Sequence, residues 1–274
     1  MVGKSVKIAI AGKGGVGKTT ISGTLSRLLA KDGLKVYAID ADPAMNLWIS
    51  LGIDKKNVES ASPLSENDIL VEERTGAKPG SIGGVFSLTP KVNDISEKYG
   101  VSGPDGVKLL ILGTVKSGGI GCMCPANSLL KALMRHLLIS QNDAVVLDME
   151  AGLEHLGRGV VKGVDVLINV VEPSYRSIQT SIRVKKLADE LEVENVIVVG
   201  NRITNQKEEN FLRNEFKALN QDLLSIIPYD PAIPEAEMNG EAPIDYNPTS
   251  PAMNALIDLE MKLKEKYVKI SRKD

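Results

Sequence analysis

A glycine-rich loop constrains the fold of this 274-residue chain more than any other feature. The stretch IAIAGKGGVGKTTISGTLSRLLA, residues 8–30, predicts a strand that ends near Ala11, a tight loop, and a helix over 18–32. Glycines let the N–H groups of such a loop turn toward phosphates, and the helix directs its positive N-terminus at the same point. We expect Lys18 to reach the β- and γ-phosphates and the Thr19 hydroxyl to ligate Mg²⁺. The predicted nucleotide-binding residues of the loop are Gly12, Lys13, Gly14, Gly15, Val16, Gly17, Lys18, Thr19 and Thr20.

Short β-branched apolar runs alternate with helical patterns along most of the chain, and their composition is typical of strands covered on both faces. The alternation predicts an α/β fold with a single doubly wound, mostly parallel sheet and helices on both faces, as in P-loop NTPases. Residues 52–106 interrupt it, so we expect one domain over 1–274 with an irregular insertion at about 52–106. The expected strands are 6–12, 35–40, 107–114, 144–150, 165–173, 195–201 and 223–230, and the expected helices are 18–32, 127–140, 176–191, 207–219 and 251–268.

Charge and composition exclude several classes of partner. A formal net charge of −2 gives no electrostatic basis for binding nucleic acid, which normally requires a basic surplus. No apolar run approaches the roughly 20 residues of a membrane span, and the N-terminus lacks a signal-peptide pattern. Two cysteines cannot form a disulfide framework. We therefore expect a cytoplasmic protein whose thiols are free or bound to a metal.

Carboxylates follow two of the predicted strands, at the edge where open α/β sheets bind ligands. The sequence AIDADP places Asp40 and Asp42 after the second strand, and VVLDMEAG places Asp148 in a Walker B pattern. Asp148 would hold a Mg²⁺-bound water, with Glu150 and Gly152 as a switch that responds to the γ-phosphate. Any one aspartate alone would suit a helix N-cap or a solvated strand end. Three of them beside one phosphate-binding loop favour catalytic chemistry.

Lys13 is the unusual residue of the loop. Its place within GKGGVGKT resembles the deviant Walker A motif of the nitrogenase iron protein, MinD and ArsA class of ATPases, although a solvated loop lysine would also fit. The resemblance implies that Lys13 reaches the nucleotide of a partner subunit, where a second cation stabilises the transferred phosphoryl group. It also implies that Asp42 orients or deprotonates the attacking water. On this interpretation the catalytic residues are Lys13, Lys18 and Asp42, and the Mg²⁺ residues are Thr19, Asp40 and Asp148.

The same resemblance places the base pocket at the ends of two later strands. It implies that the Asn201 amide reads adenine and that the turn of Pro228, Tyr229 and Asp230 lines the pocket. Asn201 would equally suit a turn. The chain has no Asn-Lys-x-Asp stretch that would read guanine, so ATP is preferred over GTP.

The two cysteines, Cys122 and Cys124, lie in GIGCMCPAN just before a predicted helix. A metal bound by thiolates usually takes about four of them, and one chain offers two. Two copies related by a two-fold axis would complete an S₄ site at a homodimer interface. The alternative is that both thiols are buried as small apolar groups.

Longer stretches resemble the CooC family of accessory ATPases for nickel insertion into carbon monoxide dehydrogenase. They are GTVKSGGIGCMCPANSLLKALMRHLL, VVLDMEAGLEHLGRG, VVEPSYRSIQT and VVGNRITN. The resemblance implies a nucleotide- and metal-dependent homodimer, with Ni²⁺ or Zn²⁺ between Cys122 and Cys124 of both subunits, and carbon monoxide dehydrogenase as client. Two alternatives stay open: an iron–sulfur reductase or scaffold ATPase, and a MinD/ParA-like positioning ATPase.

Overall fold

The computed structural model of the chain describes residues 2–78, 85–113, 125–140, 143–149 and 163–272. Four residues of the predicted sites lie outside these ranges: Cys122, Cys124, Glu150 and Gly152. The strands of the described ranges are β1 (Val2–Gly12), β2 (Val36–Ala41), β3 (Val101–Ser102), β4 (Lys108–Ile111), β5 (Ala144–Met149), β6 (Val166–Val171), β7 (Val196–Ile203), β8 (Leu223–Pro228) and β9 (Lys269–Arg272). The α-helices are α1 (Lys18–Lys31), α2 (Leu47–Leu51), α3 (Lys55–Glu59), α4 (Asp68–Thr75), α5 (Ile95–Tyr99), α6 (Pro125–Arg135), α7 (Tyr175–Glu190), α8 (Gln206–Ala218), α9 (Ala232–Asn239), α10 (Pro243–Tyr246) and α11 (Pro251–Tyr267).

One sheet organises these elements, and β1 lies near its centre. The strand order is β3-β4-β2-β5-β1-β6-β7-β8, and β9 pairs with the first residues of β1. Neighbouring strands are parallel except for the β3–β4 and β1–β9 pairs. After β5 the chain crosses β1 to continue on its other side, and ligands bind at such switch points of open α/β sheets. The predicted doubly wound, mostly parallel sheet is confirmed.

Side chains of β1 alternate between two apolar cores, one on each face of the sheet. Ile8 and Ile10 pack in the core that includes residues of α1 and α11. Ala9 and Ala11 lie in the opposite core with residues of α6 and α7. All four are fully buried, which explains why residues 8–11 form a continuous apolar run. The prediction of helices on both faces is confirmed.

The segment at 52–106 contains more regular structure than its composition predicts. In α4, the Asn67 side chain accepts a hydrogen bond from the Leu70 amide and caps the helix, whose Leu70 and Val71 are fully buried. α3 and α5 are five residues each, and short 3₁₀ turns cover Leu64–Glu66 and Pro104–Gly106. Helices of one or two turns offer too few apolar positions to show a period in the sequence.

Two strands and one helix boundary also differ from the expectation. β3 and β9 were not predicted, because two or four residues carry no detectable alternation. The helix expected at 127–140 ends as α6 at Arg135, and a π-helical turn follows over His136–Ser140. In the ranges the structure describes, no helix combines the length and apolar character needed to cross a membrane.

Candidate nucleotide-binding site

Two glycines fix the path of the loop between β1 and α1. Gly12 has φ 143°, and a Cβ there would lie 2.4 Å from the carbonyl oxygen of Val170 on the adjacent strand β6. Gly17 has φ 94°, and its Cβ would lie 2.4 Å from Nδ2 of Asn201. Both positions therefore require glycine. Gly17 caps α1 without a side-chain hydrogen bond, so the first N–H groups of the helix remain available to an anion.

The two lysines of the loop point to different partners. Lys18 is only 6% exposed, and its Nζ donates to the carbonyl oxygen of Lys13 at 3.4 Å, so its ammonium lies against the loop. The Lys13 side chain instead forms an ion pair with Glu172, just after β6, with 2.7 Å between Nζ and Oε1. Lys18 thus lies where it can contact phosphates held by the loop, whereas Lys13 is paired within its own subunit.

A buried carboxylate accepts two hydroxyl hydrogen bonds from α1. Asp148, in β5, accepts from Thr19 Oγ1 at 2.7 Å and from Ser22 Oγ at 3.0 Å. Burial raises the pKa of Asp148 to about 6, although these hydrogen bonds and the Lys18 charge act in the opposite direction. Thr19 and Asp148 therefore form one polar unit at the phosphate end of the site.

A second buried carboxylate lies on the neighbouring strand. Asp40 in β2 is in register with Asp148, and both are 1% exposed. Burial, reinforced by the charge of Asp148, raises the pKa of Asp40 to about 7, against the effect of a hydrogen bond from the Leu47 amide. Asp40 also accepts from the Asp42 amide at 3.1 Å, and Asp42 accepts from the Ala44 amide at 2.8 Å. Two carboxylates side by side in a buried site favour a cation between the sheet and the phosphates.

Asn201 contacts the phosphate-binding loop itself. It lies in β7, is 8% exposed, and its Nδ2 donates to the carbonyl oxygen of Val16 at 2.7 Å. Val16 is fully buried, so this carbonyl has little access to water. The amide predicted to read adenine therefore also supports the loop that binds phosphate.

Replacing Asn201 by alanine is expected to lower the free energy of unfolding of the nucleotide-free protein by about 1 kcal/mol, because a buried carbonyl loses its donor. Denaturant unfolding without nucleotide measures this change. Asn210→Ala, on the exposed face of α8, is the matched control and should stay within about 0.5 kcal/mol of the parent. Equal unfolding curves for the parent and Asn201→Ala would contradict a supporting role.

The turn after β8 contains the exposed aromatic ring of Tyr229 and the hydrogen-bonded carboxylate of Asp230. Tyr229 is 52% exposed, and its amide donates to the carbonyl oxygen of Ile203 at 2.9 Å. Asp230 accepts from the amides of Ala232 at 3.0 Å and Ala252 at 2.9 Å. Burial alone would raise the pKa of Asp230, but these bonds and one from Ser250 lower it below its usual value. Asp230 thus shapes the turn that follows Pro228, while the Tyr229 ring is accessible at the rim.

Comparisons with known proteins agree with this geometry. A family model described as the CobQ/CobB/MinD/ParA nucleotide binding domain matches residues 7–244. The chain belongs to this family. The carbon monoxide dehydrogenase accessory protein CooC of Rhodospirillum rubrum is 41% identical over 89% of this chain and 91% of its own length. An uncharacterized ATP-binding protein of Methanocaldococcus jannaschii is 43% identical over 86% of this chain and 90% of its own length. The structure of MinD from Aquifex aeolicus, 26% identical, covers 97% of this chain and 99% of that chain with a TM-score of 0.68.

As a member of the CobQ/CobB/MinD/ParA family, the chain is an ATPase with the P-loop NTPase fold. The relation to CooC confirms the resemblance seen in the sequence motifs. The family's nucleotides, ATP and ADP, match the loop, the lysine and the uncapped helix N-terminus described above.

Sequence reasoning missed one residue of this site, Ser22, and one residue at its rim, Glu172. Ser22 lies three positions after Thr19 on α1, so helical spacing alone would have placed both hydroxyls on the same face toward Asp148. Glu172 is the second-to-last residue of the predicted strand 165–173, which marks it as a rim residue but does not show that Lys13 is its partner.

Proposed function

We propose that this ATPase is a metallochaperone that dimerises with ATP and metal and assists nickel insertion into carbon monoxide dehydrogenase. The observation that carries the proposal is the 41% identity to CooC over nearly the full length of both chains. A cytoplasmic location, indicated by a chain whose two cysteines cannot form a disulfide framework, belongs to the same proposal.

The residues of the loop bind and orient the triphosphate. Backbone N–H groups at the start of α1 surround the phosphates, and Lys18 contacts the β- and γ-phosphates from inside the loop. Asp42, after β2, orients the attacking water. Lys13 of the partner subunit approaches the same phosphates and stabilises the charge of the transferred group.

The donor set beside the loop fits Mg²⁺. The Thr19 hydroxyl would be a direct ligand, and Asp148 and Asp40 would hold metal-bound waters, which suits an ion that keeps several waters. Mg²⁺ bound with ATP supplies charge neutralisation of the phosphate oxygens. No cluster of three His, Cys, Asp or Glu side chains within the described ranges could hold a metal, but phosphates and water supply most ligands here.

The base pocket lies between the ends of β7 and β8. Asn201 would read adenine, and the turn of Pro228, Tyr229 and Asp230 would line the pocket. The exposed ring of Tyr229 supports this role, because an aromatic face can stack on a base. The hydrogen bond from Asn201 to the loop would link base recognition to phosphate binding.

The nickel or zinc ion is cargo rather than a resident cofactor in this proposal. Cys122 and Cys124 of two subunits would supply four thiolates, and nucleotide between the subunits would decide when the four come together. Glu150 and Gly152 would act as the switch that couples the γ-phosphate to this site. Coupling requires the ATP and ADP states to differ in metal affinity and in dimerisation.

The double variant Cys122→Ser/Cys124→Ser tests the proposal. With ATP and Ni²⁺ or Zn²⁺, the parent should sediment as a dimer with about one ion per two chains, because four thiolates complete one site. The variant should bind little metal and lose the metal-dependent part of dimerisation, while ATP binding persists. Met123→Leu, which keeps both thiols, is the matched control. A double variant that retains metal and dimerises as the parent does would refute the shared site.

A MinD-like positioning function is the second candidate, because MinD structures from Aquifex aeolicus align over 97% of this chain. It predicts ATP-dependent binding to anionic vesicles through α11, whose exposed residues include Ile257 and Met261. Vesicle co-sedimentation with and without ATP distinguishes the two functions.

A further inference from the structure

The ion pair between Lys13 and Glu172 is formed within one subunit. Its Nζ–Oε1 distance is 2.7 Å, and the two side chains are 36% and 25% exposed. Lys13 belongs to the phosphate-binding loop, and Glu172 follows β6, the strand beside β1. The ion pair therefore lies across the carboxyl ends of β1 and β6, next to the phosphate-binding loop.

Neighbouring groups hold both the backbone and the carboxylate of Glu172. The Ser174 hydroxyl donates to the same Oε1 at 3.3 Å, and the Glu172 amide donates to Ser177 Oγ at 3.0 Å. Ser174 is the N-cap of α7, so the carboxylate lies near the positive end of a 16-residue helix. The carboxylate thus keeps a donor when Lys13 leaves, which lowers the cost of releasing the lysine.

The same contact blocks the role proposed for Lys13. An ammonium engaged with a carboxylate in its own subunit is not available to the phosphates of a partner's nucleotide, and that carboxylate repels phosphate. Ion pairs that are partly exposed to solvent are weak, so competition by a more highly charged triphosphate can break the contact.

We propose that Glu172 is a positioning residue that retains Lys13 in its own subunit until a nucleotide-loaded partner competes for it, and so sets the protein concentration at which ATP turnover begins. This inference rests on the proposed function, in which Lys13 acts across a homodimer.

The test is ATP turnover per chain as a function of protein concentration, at saturating ATP and Mg²⁺. Glu172→Gln should lower the concentration of half-maximal turnover by about tenfold, because about threefold is expected for each of two ion pairs broken per dimer. The limiting turnover at high protein concentration should remain near that of the parent. Glu172→Asp, which keeps the charge, should move the midpoint back toward the parent value.

Three further variants make the result decisive. Glu209→Gln removes a carboxylate that is 26% exposed, close to the 25% of Glu172, from a 2.7 Å ion pair with Arg213 on α8 and should leave the midpoint unchanged. Lys13→Ala should abolish concentration-dependent turnover, and Lys13→Ala/Glu172→Gln should match it, because Glu172 acts through Lys13. If Lys13→Ala loses turnover while Glu172→Gln keeps the parent midpoint, the retaining contact is wrong and the dimeric mechanism stands. If Lys13→Ala turns over ATP and dimerises as the parent does, the proposed trans role itself fails.

Discussion

Replacement of Lys18 by alanine is expected to lower the rate of ATP hydrolysis at least about 100-fold. Lys18 is buried, and its ammonium lies against the Lys13 carbonyl at the mouth of the loop. In the proposed function, the variant removes the positive charge that contacts the β- and γ-phosphates, where negative charge develops during transfer. Steady-state phosphate release at saturating ATP and Mg²⁺ measures the effect.

Lys31→Ala is the matched control for this variant. Lys31 ends the same helix, and its side chain is 44% exposed. Its hydrolysis rate should stay within about twofold of the parent, since an exposed charge contributes little. Turnover in Lys18→Ala equal to that in Lys31→Ala would contradict the assignment of Lys18 to phosphate binding.

Replacement of Arg27 by methionine is expected to lower the free energy of unfolding by about 2 kcal/mol. The Arg27 side chain is 3% exposed, and its guanidinium bonds both carboxylate oxygens of Asp245 at 2.8 and 2.9 Å. It also donates to Asp105 at 2.5 Å and to the carbonyl oxygen of Leu51 at 2.9 Å. Burial alone would lower the pKa of Arg27, yet the two carboxylates raise it above its usual value. Methionine fills the space but removes these four hydrogen bonds, including the buried one to the carbonyl oxygen of Leu51.

Denaturant unfolding without nucleotide measures the loss, with Arg213→Met as control. Arg213 also forms an ion pair, with Glu209 at 2.7 Å, but its side chain is 53% exposed. The control should change stability by less than about 0.5 kcal/mol. Equal stability of the two variants would show that the buried contacts of Arg27 are not stabilising.

The sequence predicted the sheet and the loop because their signals are local. Buried strands such as β5 begin with an apolar run, here residues 144–147, and the loop glycines precede Lys18 in a fixed register. The short helix α4 was missed because its capping residue, Asn67, and its buried pair span barely two turns. Local patterns suffice where one segment determines its own structure.

The hydrophobic pattern of the sequence did not predict contacts between segments that are far apart in the chain. Asn201 and Val16 are 185 residues apart, and Lys13 and Glu172 are 159 apart. Its position at a strand end places each residue at the ligand-binding edge of the sheet. Only the order of β1, β6 and β7 in the sheet determines which of these residues are in contact. The sequence therefore indicated the types of residue in the candidate site, but not the hydrogen bonds and ion pairs between them.

Arg27 connects the far end of α1 to two other segments of the chain, through Asp105 and Asp245. Lys18 and Arg27 are nine residues apart on one continuous helix, a length of about 14 Å. The helix begins at the phosphate-binding loop, and its other end is held by ion pairs to Asp245 and Asp105. Because α1 is one continuous helix, a tilt of its first turn on nucleotide binding would displace Arg27 and change its ion pairs with both carboxylates.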